Sequence, residues 1–411
     1  MKGVLVLIDG LGDIPCKKLG WKTPLEAANT PNLDLLARNG KLGAMFSVKE
    51  KYIPGTSDAV VSIFGQNPKD YPRGWLEGLG IGLNLSKGDL VFRANFATID
   101  NLRSRKVIDR RAGRTLTTKQ ASILSEAINK EVDLGVKFIF KNTLQHRGVL
   151  VFKGKYSDNL TGSDPEYNKG SSKFLFSRPL DNKSLSRLSS RVLNDFLVQS
   201  FGVLDGHPVN EARKKEGFFP ANAILTRAPG VEIKKINKYR KWACVTEVPV
   251  MKGICEGLGI TSFGYKHPTL KSHDAYANFN KNLKLTIKKS IKILKKNKSN
   301  FDYFFIYLKE TDAAGHDNKP LEKKEMIELI DKHLGKFLIK LALSGTKILV
   351  TADHCTPCEL KAHSSGAVPV LFFDPDAEKT DKLNFSERNC KKGSLKKIIG
   401  KNLFKKVRFD K

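Results

Sequence analysis

No run among these 411 residues is apolar for long enough to cross a bilayer. The opening stretch, Met1-Lys-Gly-Val-Leu-Val-Leu-Ile-Asp9, meets an acid and glycines where a signal peptide would carry its cleavage pattern. A membrane partner is therefore not expected, and the chain reads as cytoplasmic. Cysteine is sparse, with six residues spread over the whole length, which fits reduced thiols rather than a disulfide framework. Cys355-x-x-Cys358 is the one close pair. Neither a second pair nor two histidines at finger spacing follow it, so packing residues are expected there rather than a zinc site. Acids are also short, 42 against 72 lysines and arginines, for a net charge of +30. Such an excess invites a nucleic-acid reading. No finger, RNP-like or helix-turn-helix signature supports it, and the lysines lie on stretches such as 281–298, where Leu283, Ile287, Ile291 and Leu294 suit the buried face of an amphipathic helix. No nucleic-acid partner is expected, and the charge suits anionic metabolites. Gly10-Leu-Gly-Asp13 does not continue into a dinucleotide fingerprint, and no internal repeat is found.

What is there is an α/β pattern at both ends of the chain. Residues 3–8, 301–308, 348–351 and 368–373 read as buried strands, and 30–37, 57–64, 248–259 and 322–342 as helices. Between them the pattern changes to short alternating runs such as 90–96 and 148–152. The expected organisation is a core of residues 1–72 and 235–411, with a mostly parallel sheet flanked by helices. An α+β domain over 73–234 is inserted into it. The glycine-rich stretch 72–93 reads as the exit from the core, and the polar stretch 154–173 as a turn-rich mobile loop.

Acid and histidine pairs recur just past the strands. Asp9 follows the first, Asp312 and His316 follow the strand at 301–308, and Asp353 and His354 follow the strand at 348–351. His363 lies on the loop beyond. Each alone could be a turn acid or a core histidine, but ligands in open α/β sheets bind outside the carboxyl ends of strands. Asp312, His316 and His363 suggest one metal site, and Asp9, Asp353 and His354 a second. Mixed carboxylate and imidazole ligation suits manganese, zinc or iron(II) better than magnesium. Pro54-Gly55 breaks the chain before a helix that Thr56 or Ser57 opens. A serine there is either a cap or, where a phosphoryl group is held at the helix end between two metals, a nucleophile. Asp109-Arg110-Arg111-Ala112-Gly113-Arg114 and His146-Arg147 suit binding of phosphate or carboxylate, with a solvated basic loop as the plain alternative.

Eight segments in order, VLVLIDGLGD, TSDAVVSIFG, RANFATID, DRRAGR, HRGVLVF, ANAILTRAPG, KETDAAGHD and TADHCTPCELKAHS, resemble the archaeal-type cofactor-independent phosphoglycerate mutases of the alkaline phosphatase superfamily. The resemblance implies an alkaline-phosphatase-like core and two divalent ions, manganese by preference with zinc, cobalt or magnesium as alternatives. It puts Asp312, His316 and His363 on one ion and Asp9, Ser57, Asp353 and His354 on the other. It further implies a phosphoserine at Ser57 and an inserted domain gripping the phosphoglycerate, for which Arg110, Arg111, Arg114, His146 and Arg147 are the candidates. 3-Phosphoglycerate and 2-phosphoglycerate would then interconvert without a 2,3-bisphosphoglycerate primer. A related phosphatase, phosphomutase or phosphotransferase acting on another small phosphorylated metabolite is the alternative. Two segments depart from the family pattern, Pro72-Arg-Gly-Trp-Leu-Glu-Gly78 and Gly65-Gln-Asn-Pro68, and both bear on substrate fit rather than on the metal ligands.

Overall fold

The computed structural model describes residues 1–165, 172–265 and 275–410. Part of the expected loop at 154–173, residues 166–171, lies outside the described residues. The thirteen strands among the described residues are β1 (Gly3–Ile8), β2 (Lys41–Phe46), β3 (Leu90–Ile99), β4 (Val107–Asp109), β5 (Phe138–Asn142), β6 (Arg147–Phe152), β7 (Ala223–Gly230), β8 (Trp242–Val245), β9 (Thr261–Phe263), β10 (Tyr303–Leu308), β11 (Lys347–Thr351), β12 (Val368–Phe373) and β13 (Lys396–Ile399). The chain divides into two compact units, one of residues 1–69, 235–248 and 254–411, the other of 70–234 and 249–253. No described helix is long and apolar enough to cross a membrane.

The first unit is built on an eight-stranded sheet in the order β13-β2-β12-β11-β1-β10-β8-β9. Five of its pairings are parallel. The two that join β12 to β11 and to β2 are antiparallel. This is the mixed, mostly parallel α/β class expected from the sequence. β1 and β10 are buried along their whole length, which is why they read as unbroken apolar runs rather than alternating ones. Parallel pairing of β1 with both β10 and β11 brings the carboxyl ends of all three strands to one edge of the sheet. The long helix expected at 322–342 is instead Pro320–Ile330, a π turn Asp331–Gly335, and Lys336–Leu343. The turn gives the buried Asp331 carboxylate to the backbone N–H groups of Asn32 and Leu33. That caps the helix Pro31–Arg38, whose own Thr30 side chain makes no capping bond.

The second unit has a five-stranded sheet, β4-β3-β6-β5 with β7 also paired to β3, every pairing antiparallel. Helices Thr118–Glu131 and Ser184–Asp205 supply residues such as Leu124, Ile128, Leu193 and Phe196 to a core shared with Phe92, Phe96, Phe140 and Phe152. The glycine-rich stretch after residue 72 is not a loose exit. Arg73–Gly80 is a helix with Trp75, Leu76 and Leu79 buried. Its glycines serve close approach: a Cβ on Gly80 would come within 1.7 Å of the Pro249 carbonyl oxygen.

Candidate metal and phosphotransfer site

At the shared edge of the first unit's sheet, three segments supply acids and imidazoles. Asp9 ends β1, the short helix Glu310–His316 after β10 carries Asp312 and His316, and Asp353 and His354 follow β11. Ligand atoms of Asp9, Asp353 and His354 lie within 4.8 Å of one another, as do those of Asp312, His354 and His363. His354 Nε2 is 3.3 Å from Asp9 Oδ1 and 3.3 Å from Asp353 Oδ2. His363 Nε2 is 3.7 Å from Asp312 Oδ1, and His316 Nε2 is 3.5 Å from Asp312 Oδ2. His354 is therefore common to both compact groups, whereas the sequence reading grouped it with Asp9 and Asp353 alone. The His354 and His363 rings stack at 3.7 Å between centroids.

The protons on these rings can be placed from their other contacts. His363 Nδ1 is 3.0 Å from the Pro54 carbonyl oxygen and His316 Nδ1 is 3.0 Å from that of Lys361. A carbonyl only accepts, so each Nδ1 carries a hydrogen and each Nε2 is left for another partner. The Thr356 hydroxyl donates to Asp312 Oδ1 at 2.6 Å and lies 3.1 Å from His354 Nδ1. With its one hydrogen spent on Asp312, it accepts from His354 Nδ1, which leaves Nε2 turned toward Asp9 and Asp353. Three imidazole Nε2 atoms then face three carboxylates. Asp9 Oδ1 and Asp353 Oδ2 are buried with no hydrogen-bond donor. Burial first, then the neighbouring Asp353 and Asp312 carboxylates, push Asp9 well above the usual carboxylate range. Burial would raise Asp312 too, but His354, His316 and the Thr356 bond together hold it below its ordinary value. Burial, followed by His354, pushes His363 down to about 4, so it stays neutral at pH 7. This donor set fits divalent cations: it offers imidazole nitrogens and buried carboxylate oxygens, the two ligand types such ions share.

The other half of the Asp9 carboxylate takes a hydrogen bond from the Tyr307 hydroxyl, and its carbonyl takes one from Thr311. Asp353 Oδ1 accepts from the N–H groups of Gly10 and His354. Gly10 has φ +62°, and a Cβ there would come within 2.6 Å of the Thr356 hydroxyl and 2.8 Å of Asp312 Oδ1. Only glycine makes this turn without driving a methyl group between the ligands.

Ser57 is buried in the first turn of the helix Thr56–Ile63. That helix is capped by Gly55, with no side-chain bond, so neither Thr56 nor Ser57 spends its hydroxyl as a cap. Thr56 Oγ1 lies 3.4 Å from His354 Nε2, and the Pro54 carbonyl holds His363. The helix entry therefore abuts the imidazoles, with its first N–H groups and positive dipole end beside them.

The arginines form their own constellation in the second unit. Arg110 is bound at two points to the buried Asp164, each bond 2.9 Å, so its fork is already engaged by a carboxylate. Arg111 is half-buried, and Asp109 accepts from its N–H and from that of Gly113. Arg114 follows at the end of the same turn, and burial, then repulsion from Arg114 and Arg110, lowers Arg111. His146 is buried with Nδ1 unpartnered, and burial, then Arg147 and Arg111, push it down to about 4. The sequence reading missed Arg73, Arg93, Arg227, Glu77 and Asp164. Arg93 pairs in register with Arg227, and Asn95, two residues on, with Arg147, so three adjacent strands put arginines on one face. The available signal was a single arginine breaking each of two apolar strands, in Phe92-Arg-Ala94 and Thr226-Arg-Ala228. Cys355 and Cys358 point away from ligation: Cys355 Sγ lies 3.4 Å from the Ala367 carbonyl and Cys358 Sγ 3.2 Å from Asp13. All six cysteines are free and buried.

Strand-end carboxylates and imidazoles that converge beside a helix N-terminus define a metal-dependent enzyme of the α/β class. Comparison with known proteins narrows this. A family model described as 2,3-bisphosphoglycerate-independent phosphoglycerate mutase matches residues 37–210. One described as type I phosphodiesterase / nucleotide pyrophosphatase matches residues 158–359. The 2,3-bisphosphoglycerate-independent phosphoglycerate mutase of Pyrococcus abyssi is 40% identical over 98% of this chain and 95% of its own length. That of Saccharolobus solfataricus is 36% identical over 96% and 94%. A solved Pyrococcus horikoshii protein matches with a TM-score of 0.79 at 32% identity, covering 100% of this chain and 98% of its own. The cofactor-independent phosphoglycerate mutase of Thermoplasma acidophilum matches with a TM-score of 0.64 at 31% identity, covering 99% of each. The chain belongs to the 2,3-bisphosphoglycerate-independent phosphoglycerate mutase family, enzymes of the isomerase class.

Proposed function

We propose that this chain interconverts 3-phosphoglycerate and 2-phosphoglycerate through a phosphoserine at Ser57, with no 2,3-bisphosphoglycerate. The observation that carries the reading is the set of imidazole Nε2 atoms and donorless carboxylate oxygens packed against the entry of the helix that bears Ser57. Asp312, His316 and His363 would hold one divalent ion, and Asp9, Asp353, His354 and Ser57 the other. Mn2+ is the ion we assign, because it accepts mixed oxygen and imidazole ligation. When bound, the ions supply charge for a transferring phosphoryl group and lower the pKa of a coordinated hydroxyl.

The chain's own residues do the rest. Ser57 Oγ forms a bond to phosphorus as the bond to the 3-oxygen of glycerate breaks. The helix N–H groups stabilise the phosphoryl oxygens on Ser57. Glycerate turns and its 2-hydroxyl oxygen takes the phosphorus back, so Ser57 Oγ is regenerated and the phosphate count is conserved. Arg111, Arg114, Arg147 and His146 are assigned to the anionic groups of the substrate, which must stay bound between the two transfers or hydrolysis replaces isomerisation. Arg110 supports that turn from its two-point bond to Asp164. A glycolytic or gluconeogenic role in the cytoplasm follows from this reaction. The test is conversion of 3-phosphoglycerate by metal-stripped and Mn2+-restored protein, without added bisphosphoglycerate. Ion-dependent 2-phosphoglycerate is expected; release of inorganic phosphate without 2-phosphoglycerate would replace the mutase reading with a phosphatase one.

A further inference from the structure

Outside the ligand set, a fully buried lysine joins the three ligand-bearing segments. Lys323 lies on the helix Pro320–Ile330, which begins four residues after His316. Its Nζ is 2.7 Å from Asp13 Oδ2, 3.0 Å from the Thr356 carbonyl oxygen and 3.4 Å from that of Gly12. All three ammonium hydrogens have acceptors. Gly12 and Asp13 belong to the loop that begins at Asp9. Thr356 belongs to the loop that carries Asp353 and His354, and its hydroxyl touches both His354 and Asp312. The same two loops are laced by Thr356 N–H to the Gly12 carbonyl at 3.0 Å and by Cys358 N–H to Asp13 Oδ1 at 3.1 Å.

We propose that Lys323 is a positioning residue of the two-ion site, whose ammonium sets the spacing between the Asp9 loop and the Asp353–His354 loop. The proposal rests on the two-ion reading above. A buried ion pair is weak as a source of net stability, because desolvation offsets its attraction. Its geometry is strict, however, and the two carbonyls it holds each lie within three residues of a proposed ligand. A carbonyl that loses this donor leaves its loop free to shift by the few tenths of an ångström that decide ligand convergence. Lys323 touches neither ion nor substrate in this reading, and acts only through the loops.

The test uses the full chain, stripped of metal, with Mn2+ alone as the probe. The double variant Lys323→Met, Asp13→Asn removes both charges, so no buried charge is left unpaired. Its metal-free melting temperature is expected close to that of the wild type, while its Mn2+ dissociation constants rise about 10–100-fold, the range for lost outer partners of metal ligands. Turnover at saturating substrate is expected to recover as Mn2+ is raised. A second variant, Lys323→Gln, keeps one neutral donor in place should the double variant fail to fold, and a smaller rise in the same constants is expected. Dissociation constants matching the wild type in a folded variant would overturn the proposal and leave Lys323 a packing residue. A wild-type chain that takes up no Mn2+ would overturn the two-ion reading, and this inference with it.

Discussion

The two units bury charge in opposite ways. At the strand-end edge of the first, acids crowd one another: Asp9 is driven up by burial and by its neighbouring carboxylates, and oxygens of Asp9 and Asp353 lack donors. In the second, buried acids are enclosed by arginines. Glu77 is held below its usual value because Arg93 and Arg73 more than offset its burial. Arg93 Nε is 3.3 Å and Arg73 Nε 3.0 Å from the same Glu77 oxygen. Asp164 has Arg110 at 2.7 Å and Arg227 at 3.8 Å. The guanidinium groups crowd one another in turn: burial and then Arg73 push Arg93 down to about 9. The lesson is one of complementary deficits. One unit concentrates negative charge at a strand-end edge, and the other concentrates positive charge on one sheet face.

Breaking the first half of that comparison gives the largest effects. Ser57→Ala removes the atom proposed to carry the phosphate and is expected to leave mutase activity below about 10⁻⁴ of wild type, with the fold and at least one ion retained. Thr56→Ala stays active, and peptide mass spectrometry after reaction with labelled 3-phosphoglycerate finds the phosphate on Ser57. Phosphate on Thr56 would overturn the assignment. His316→Ala and His363→Ala each remove an imidazole lone pair from the Asp312 side. Each variant is expected to lose one ion of two by elemental analysis and, since an ion supplies several kcal/mol, about 10³-fold or more in turnover. Full occupancy in either variant would sink its place in the ligand set.

The second half is tested at Arg111 and Arg114. Each alanine variant is expected to lose the proposed charge-assisted hydrogen bond to the substrate, about 1.5–3 kcal/mol, or roughly 10–150-fold in kcat/KM. More telling is the product ratio. Glycerate held less well escapes between transfers, so released phosphate rises relative to 2-phosphoglycerate. An unchanged ratio in both variants would leave these arginines as surface charge.

How far the sequence carried depended on whether a feature was local. Buried parallel strands announce themselves as apolar runs, and Asp9, Asp312, Asp353 and His354 follow them directly, so those candidates could be read without coordinates. His316 and His363 lie within one turn or one loop of a strand and were also within reach. Thr356 and Lys323 were not, because their roles depend on the Asp9 loop meeting two segments that lie more than 300 residues further along the chain. The arginine face of the second sheet was hidden for the same reason: strand register, not sequence spacing, sets Arg93 beside Arg227. The buried helix Arg73–Gly80 was hidden by composition. Three of its eight residues are glycine, which argues for a loop until close backbone packing supplies the reason for them.

The smallest effect sharpens the comparison away from either site. Glu387, in the first unit, is buried with Oε1 unpartnered, and Thr23 donates to its Oε2 at 2.7 Å. Burial pushes it up from 4.5 to about 7, against the lowering effects of the Thr23 bond and Lys323 and with the help of Glu26. A carboxyl whose native pKa exceeds its unfolded one binds more protons in the native state between those two values. Stability therefore falls as pH rises from the unfolded value through the native one, and levels off above it. The interval corresponds to roughly 3 kcal/mol at most, and less where the site relaxes. Glu77 in the second unit is shifted the other way, so its contribution is already complete at pH 5 and adds no slope above it. Glu387→Gln is isosteric and does not titrate. Metal-free melting curves between pH 5 and pH 8 are expected to separate progressively, with the variant gaining on the wild type as pH rises. Glu77→Gln is expected to lower stability by a similar amount at both ends of that range, because it strips a counter-charge from Arg73 and Arg93. Parallel curves for Glu387→Gln and wild type would show that this carboxyl is not held protonated, and that the shortage of cations in the first unit is confined to its metal-binding edge.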